Sequence, residues 1–133
     1  MLHQSHNIFQ SGVFISFAGN CKEALTYYQS CFGGQLQFQM MEQHLHGFEK
    51  VPVISGSLIS DSVSIYGSDL IPDEGRQTGN YLAVFLLCNN AQSRTLLLEK
   101  LVPAFTSSWT KDEEIKSLIE VTDRYDVRWL LAV

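Results

Sequence analysis

Val13, Ile15 and Phe17 interleave with Phe14 and Ser16, the period-two pattern of a half-buried strand. Ala24, Leu25, Tyr28, Cys31 and Phe32 then recur at helical spacing and form one apolar stripe for a sheet to cover. Asn20 precedes this helix as a natural N-cap, with Glu23 three residues on in a capping-box arrangement. Gly19 lets the chain turn sharply off the strand, and Gly33 with Gly34 ends the helix where a left-handed residue is needed. Strands are predicted next over 35–42, 53–59 and 63–67, the last two joined by the turn Ser60-Asp61-Ser62. The stretch "GSDLIPDEGRQTGN" is rich in Gly, Pro and Asp and reads as a long connection near mid-chain. Beyond it, "YLAVFLL" at 81–87 is continuously apolar and predicts a strand covered on both faces. Asn89 or Asn90 caps a second helix, which must end near Pro103. "AFTSSW" predicts a strand, "TKDEEIK" an acidic loop, and "SLIEVT" with "VRWLLAV" a closing hairpin around "DRYD".

The order is strand, helix, three strands, and then the same again. Asn20 and Asn89 stand at matching positions, and at that offset Tyr27, Tyr28 and Phe32 fall on Leu96, Leu97 and Leu101. Ala24 and Leu25 fall on Ser93 and Arg94, so the residue-level match is partial. An internal duplication is the reading that fits. The expectation is one α+β domain over 1–133, built of two βαβββ modules at about 13–67 and 80–133. Neither module alone covers its sheet, so two must pair, within one chain or between two chains.

Composition narrows the function. Hydrophobic residues make up 45% of the 133 and charged residues 17%, ordinary values for a globular domain able to bury a sizeable core. The net formal charge is −5, so no basic field exists for nucleic acid or anionic lipid, and neither is an expected partner. No apolar run approaches the roughly 20 residues of a membrane span. "MLHQSHNIFQ" lacks the basic and apolar regions of a signal peptide. Cys21, Cys31 and Cys88 are odd in number and match no zinc spacing, which suits reduced thiols and a cytoplasmic setting. Cys21 stands apart because a helix N-terminus lowers a thiol pKa. No histidine lies close in sequence to serve as its base, so a buried structural thiol is preferred.

Three stretches carry a family resemblance. "FISFAGNCKEALTYYQSCFGGQL" is similar to the opening signature of the PhnB-like branch of the vicinal oxygen chelate superfamily, which unites glyoxalases, bleomycin-resistance proteins and extradiol dioxygenases. "SLISDSVSIYGSD" resembles the middle hairpin of that branch, and "VTDRYDVRWLLAV" its closing D-[RK]-[FY]-G-V-x-W strand, with Asp126 where the pattern has glycine. The resemblance spans residues 13–133 in order. It implies tandem βαβββ modules forming an open U-shaped barrel around a cavity, a small-molecule ligand and a homodimer.

Metal-dependent members of the superfamily hold an ion with His, Gln or Glu on inward-facing strand positions. Here the first strand offers no ligand, Ser55 stands where many relatives carry histidine, 81–87 is apolar, and the superfamily's glutamate would fall near Leu130. A divalent ion needs three or four converging ligands, so no metal and no cofactor is expected. His44 and His46, with Glu49 nearby, lie in a polar stretch that reads as a solvated loop, and His3 and His6 in a frayed terminus.

What remains is a set of aromatic and hydroxyl side chains suited to a small-molecule pocket. The ligand-lining candidates are Phe14, Ser16, Ser55, Ser57, Tyr66, Tyr81, Trp109 and Trp129, with Ser55 directed into the cavity by the family comparison. For Tyr28 and Trp129 a core role is the simpler reading, and Trp109 suits a rim or an interface equally well. Asp69 suits an Asx turn after the hairpin. The expected function is metal-free binding of an aromatic or planar compound, with no catalytic residue assigned. A metal-dependent glyoxalase- or dioxygenase-type enzyme with unrecognised ligands, or a non-catalytic interaction module, are the alternatives. A doubly wound methyltransferase is disfavoured, because its parallel strands and glycine-rich cofactor turn are lacking.

Overall fold

The computed structural model describes residues 10–43, 50–70, 79, 81–103 and 117–133. The described residues form an α+β arrangement with two helices and two mixed sheets, neither of them closed. β1 (Val13–Ser16), α1 (Cys21–Phe32), β2 (Gln35–Met40), β3 (Val53–Ile59) and β4 (Ser64–Ser68) come first. β5 (Val84–Leu87), α2 (Ala91–Leu101), β6 (Leu118–Thr122) and β7 (Arg128–Ala132) follow. The predicted strand "AFTSSW" and the loop "TKDEEIK" lie outside the described residues, as do His3, His6, His44, His46, Glu49 and Trp109. No helix among the described residues is long and apolar enough to cross a membrane.

The two sheets share a pattern of strand pairing. In the first sheet the order is β1-β4-β3-β2, and β1 runs parallel to β4. In the second it is β5-β7-β6, and β5 runs parallel to β7. Each sheet therefore pairs its first strand with its last, and the hairpins β3–β4 and β6–β7 are antiparallel.

The chain forms two compact units. The first takes the chain through Leu25 and from Gly34 to Ile71; the second takes Thr26–Gly33 and everything from Pro72 onward. The apolar stripe of α1 is thus divided between two sheets. Cys21, Ala24 and Leu25 are fully buried in the first unit, where small residues let helix and sheet approach: a Cβ on Gly67 would meet the Phe17 ring at 2.7 Å and Cys21 Sγ at 3.1 Å. In the second unit the Tyr28 and Phe32 rings lie 5.7 and 5.3 Å from that of Trp129, and Tyr125 stacks at 5.8 Å from both Tyr27 and Tyr28. These centroid spacings are those of favourable tilted aromatic pairs.

One local expectation changes. "YLAVFLL" is not a strand covered on both faces: β5 starts only at Val84, and Phe85 and Leu87 remain 57% and 72% exposed while Val84 and Leu86 are half-buried. A continuous apolar run cannot reveal which face will be covered, because that depends on the helix that packs there. The start of α1 also gains a partner that no local pattern signals. Asn20 stands at the N-cap position and supplies its carbonyl to the Ala24 amide, and the distant carboxylate of Asp69 accepts the Gly19 and Cys21 amides. Asn90 caps α2 as expected, accepting the Ser93 amide at 2.7 Å.

Asp126 lies at φ 67, in the left-handed region, at the position where the related pattern has glycine. Asp tolerates this conformation better than most residues, and a β-branched residue tolerates it least. Asp126→Val is expected to lower stability by roughly 1–2 kcal/mol, whereas Asp126→Gly should be tolerated; thermal unfolding of both variants measures the difference.

Candidate functional site

β2 reads Gln35-Leu36-Gln37-Phe38-Gln39-Met40, with glutamines at every second position. Strand alternation puts Gln37 and Gln39 on one face, while Leu36 and Phe38 are half-buried on the other. Register carries that face across the sheet. Gln37 pairs with Ser57, Gln39 with Ser55, Ser57 with Tyr66, and Tyr66 with Phe14. Gly56 and Gly67 face the opposite way, toward Leu25 and toward Phe17 with Cys21.

The result is an open groove of about 670 Å³ in the first unit, lined by Gln37, Gln39, Ser55, Ser57 and Tyr66 and by the intervening Phe38 and Gly56. Ser55, Ser57 and Tyr66, three of the sequence candidates, thus meet in one cavity. Phe14 is 56% exposed beside Tyr66 in register, and Ser16 stands two residues along the same strand. The two glutamines were missed by sequence reasoning, although their strict alternation with Leu36 and Phe38 is a legible signal of a polar strand face.

The remaining candidates sit elsewhere. Tyr81 is 85% exposed and precedes β5. Trp109 lies outside the described residues. Trp129 is wholly buried and donates its indole N–H to Asp123 Oδ2 at 2.8 Å, which places it in the core of the second unit. The same oxygen accepts the Tyr28 hydroxyl at 2.5 Å, and Oδ1 accepts the Tyr125 and Val127 amides at 2.7 and 3.2 Å. Burial first, and then the Asp123 carboxylate, pushes the Tyr28 phenol well above its ordinary value.

Cys21 is not an activated thiol. Burial, and next the Asp69 carboxylate, push it up from 9.0 to about 12, outweighing the helix N-terminus that would lower it. Asp69 is no simple Asx-turn residue: its carboxylate binds the Gly19 amide at 2.9 Å, the Cys21 amide at 3.1 Å and the Val53 amide at 2.9 Å.

Of the positions to which the resemblance assigns metal ligands, Ser55 offers only a hydroxyl and Leu130 offers nothing. Glu120, opposite Leu130 in register, is engaged in an ion pair with Arg128. Among the described residues no group of three His, Cys, Asp or Glu side chains converges.

No family model and no curated protein matches the chain. Solved structures do. The PA1353 protein of Pseudomonas aeruginosa superimposes with a TM-score of 0.64 at 22% identity, covering 93% of this chain and 96% of that one. A PhnB protein from Bacillus cereus, described as a putative 3-demethylubiquinone-9 3-methyltransferase, gives 0.62 at 15% identity over 93% and 98%. A gene product of Arabidopsis thaliana gives 0.55 at 21% identity over 96% and 100%. These likenesses establish a shared PhnB-like fold.

Proposed function

We propose that the chain is a metal-independent small-molecule-binding protein whose ligand rests on the open face of the first sheet. The observation that supports this reading is the groove itself, in which hydroxyl, amide and aromatic groups from three strands converge, with no metal-ligating set among the described residues. Its volume lies in the range of small-molecule sites, and its mixture of a ring with a few placed polar groups is how such sites orient a ligand. The tandem modules imply a homodimer by resemblance, and the free thiols of Cys21, Cys31 and Cys88 accord with a reducing, cytoplasmic setting. The methyltransferase description of the Bacillus cereus protein is not carried over, since neither sheet here is a doubly wound parallel sheet.

A thermal-shift screen tests the reading. Planar compounds should raise Tm, a ligand at a hundredfold excess over its Kd adding roughly 2–3 kcal/mol, or several degrees. Tyr66→Ala should abolish the response without lowering Tm by more than a few degrees, because Tyr66 is only half-buried. A strong, saturable rise with Mn²⁺, Fe²⁺, Ni²⁺ or Zn²⁺ instead would defeat the proposal.

A further inference from the structure

We infer that this groove selects uncharged planar molecules bearing a paired donor–acceptor edge, such as a carboxamide or a lactam. The inference rests on the small-molecule reading above and specifies its ligand class. No Lys, Arg, His, Asp or Glu lines the groove among the described residues; its side-chain polar groups are two amides, two aliphatic hydroxyls and one phenol. A carboxylate or an ammonium resting on these groups would give up part of its hydration and meet no opposite charge among the described residues. A neutral amide loses less and finds partners.

Geometry adds the shape. Gln37, Ser57, Tyr66 and Phe14 are neighbours in one row across β2, β3, β4 and β1, and Gln39 with Ser55 begins a second row on the same face. Adjacent strands are about 4.8 Å apart, so Gln37 and Tyr66, two strands apart, stand about 10 Å from each other. The glutamine amides mark one side of the groove and the aromatic rings the other. Each glutamine offers a C=O acceptor beside an NH₂ donor, the complement of a carboxamide or lactam edge, as when Gln reads adenine. A ring lying against Tyr66 and Phe14 can therefore direct such an edge toward Gln37 and Gln39.

Benzamide, benzoate and benzylamine hold the ring constant and change only the charge, and amide-resolved NMR titrations of the full chain at pH 7 report where each binds. Benzamide is expected to shift the backbone signals of residues 37, 39, 55, 57 and 66 with a Kd about tenfold tighter than either ion. In the double variant Gln37→Glu, Gln39→Glu, benzamide should weaken and benzylamine tighten by about tenfold, since the exchange preserves shape and supplies the missing opposite charge. If benzoate or benzylamine equals benzamide at those signals in the wild type, the neutral preference is overturned while the groove remains a binding site. If benzylamine is indifferent to the double substitution, the glutamines do not face the ligand and the inference fails. If neither the three probes nor a broad fragment set perturbs those five signals, the small-molecule reading falls and takes the inference with it.

Discussion

Replacing Asp123 with alanine is expected to lower stability by about 3–5 kcal/mol, the largest effect of any single polar substitution in the second unit. The carboxylate is 5% exposed and accepts four hydrogen bonds, from Tyr28, Trp129 and the amides of Tyr125 and Val127. Alanine leaves three buried donors and the part-buried Val127 amide without their acceptor, and each unsatisfied buried donor costs roughly 1–3 kcal/mol before relaxation. Asparagine is no remedy. An Asn NH₂ in place of Oδ1 would face two amide donors, and in place of Oδ2 it would face the Trp129 indole N–H while the Tyr28 hydroxyl turns to accept, so Asp123→Asn should still cost about 2–3 kcal/mol. Tyr28→Phe removes a single donor together with its demand and should cost only about 1 kcal/mol. Urea unfolding of the three variants measures the order. An Asp123→Ala protein within 1 kcal/mol of the wild type would show that the carboxylate is not the centre of this cluster.

Asp69→Ala should destabilise the first unit by about 3–4 kcal/mol for a related reason. Its carboxylate joins the β1–α1 turn at Gly19 and Cys21 to the start of β3 at Val53, and its own amide donates back to the Val53 carbonyl at 2.9 Å. It also satisfies amides at the first turn of α1, where a negative charge is favoured by the helix dipole. Cys21 supplies an independent readout. A thiol at about 12 in the folded chain and near 9.0 when unfolded holds its proton more tightly in the native state. Its contribution to stability is therefore complete below about pH 9 and is lost as pH rises toward 12. Equilibrium unfolding between pH 8 and 11 should show the wild type losing stability with pH more steeply than Cys21→Ala. An equal slope in the two proteins would place the Cys21 thiol in water. In Asp69→Asn the alkaline loss should start near the same pH but level off at a lower pH and be smaller in total, because the repelling carboxylate is gone and burial alone raises the thiol.

The groove was partly legible before the fold was known. Ser55, Ser57 and Tyr66 stand at alternating positions of strands that pair Ser57 with Tyr66, and the turn Ser60-Asp61-Ser62 between them sets that register. Gln37 and Gln39 carried the same period-two signal in β2. Trp129 shows the opposite case: its strand was correctly read, yet which of its faces would be covered depended on Tyr28 and Phe32, about a hundred residues earlier in the chain.

The sequence by itself determined most of the described elements and their order, because strand alternation, helical stripes and glycine stops are properties of a few neighbouring residues. Asn90 at the start of α2 and the positive φ angles of Gly19, Gly33 and Gly34 follow from local chemistry alone. Only the tertiary structure decided the partners. It divided the stripe of α1 between two units, brought the Asp69 carboxylate to the start of α1, and left Phe85 and Leu87 exposed in an apolar strand. Each of these depends on groups far apart in the chain that meet only when the sheets form, and no local period encodes which ones they will be.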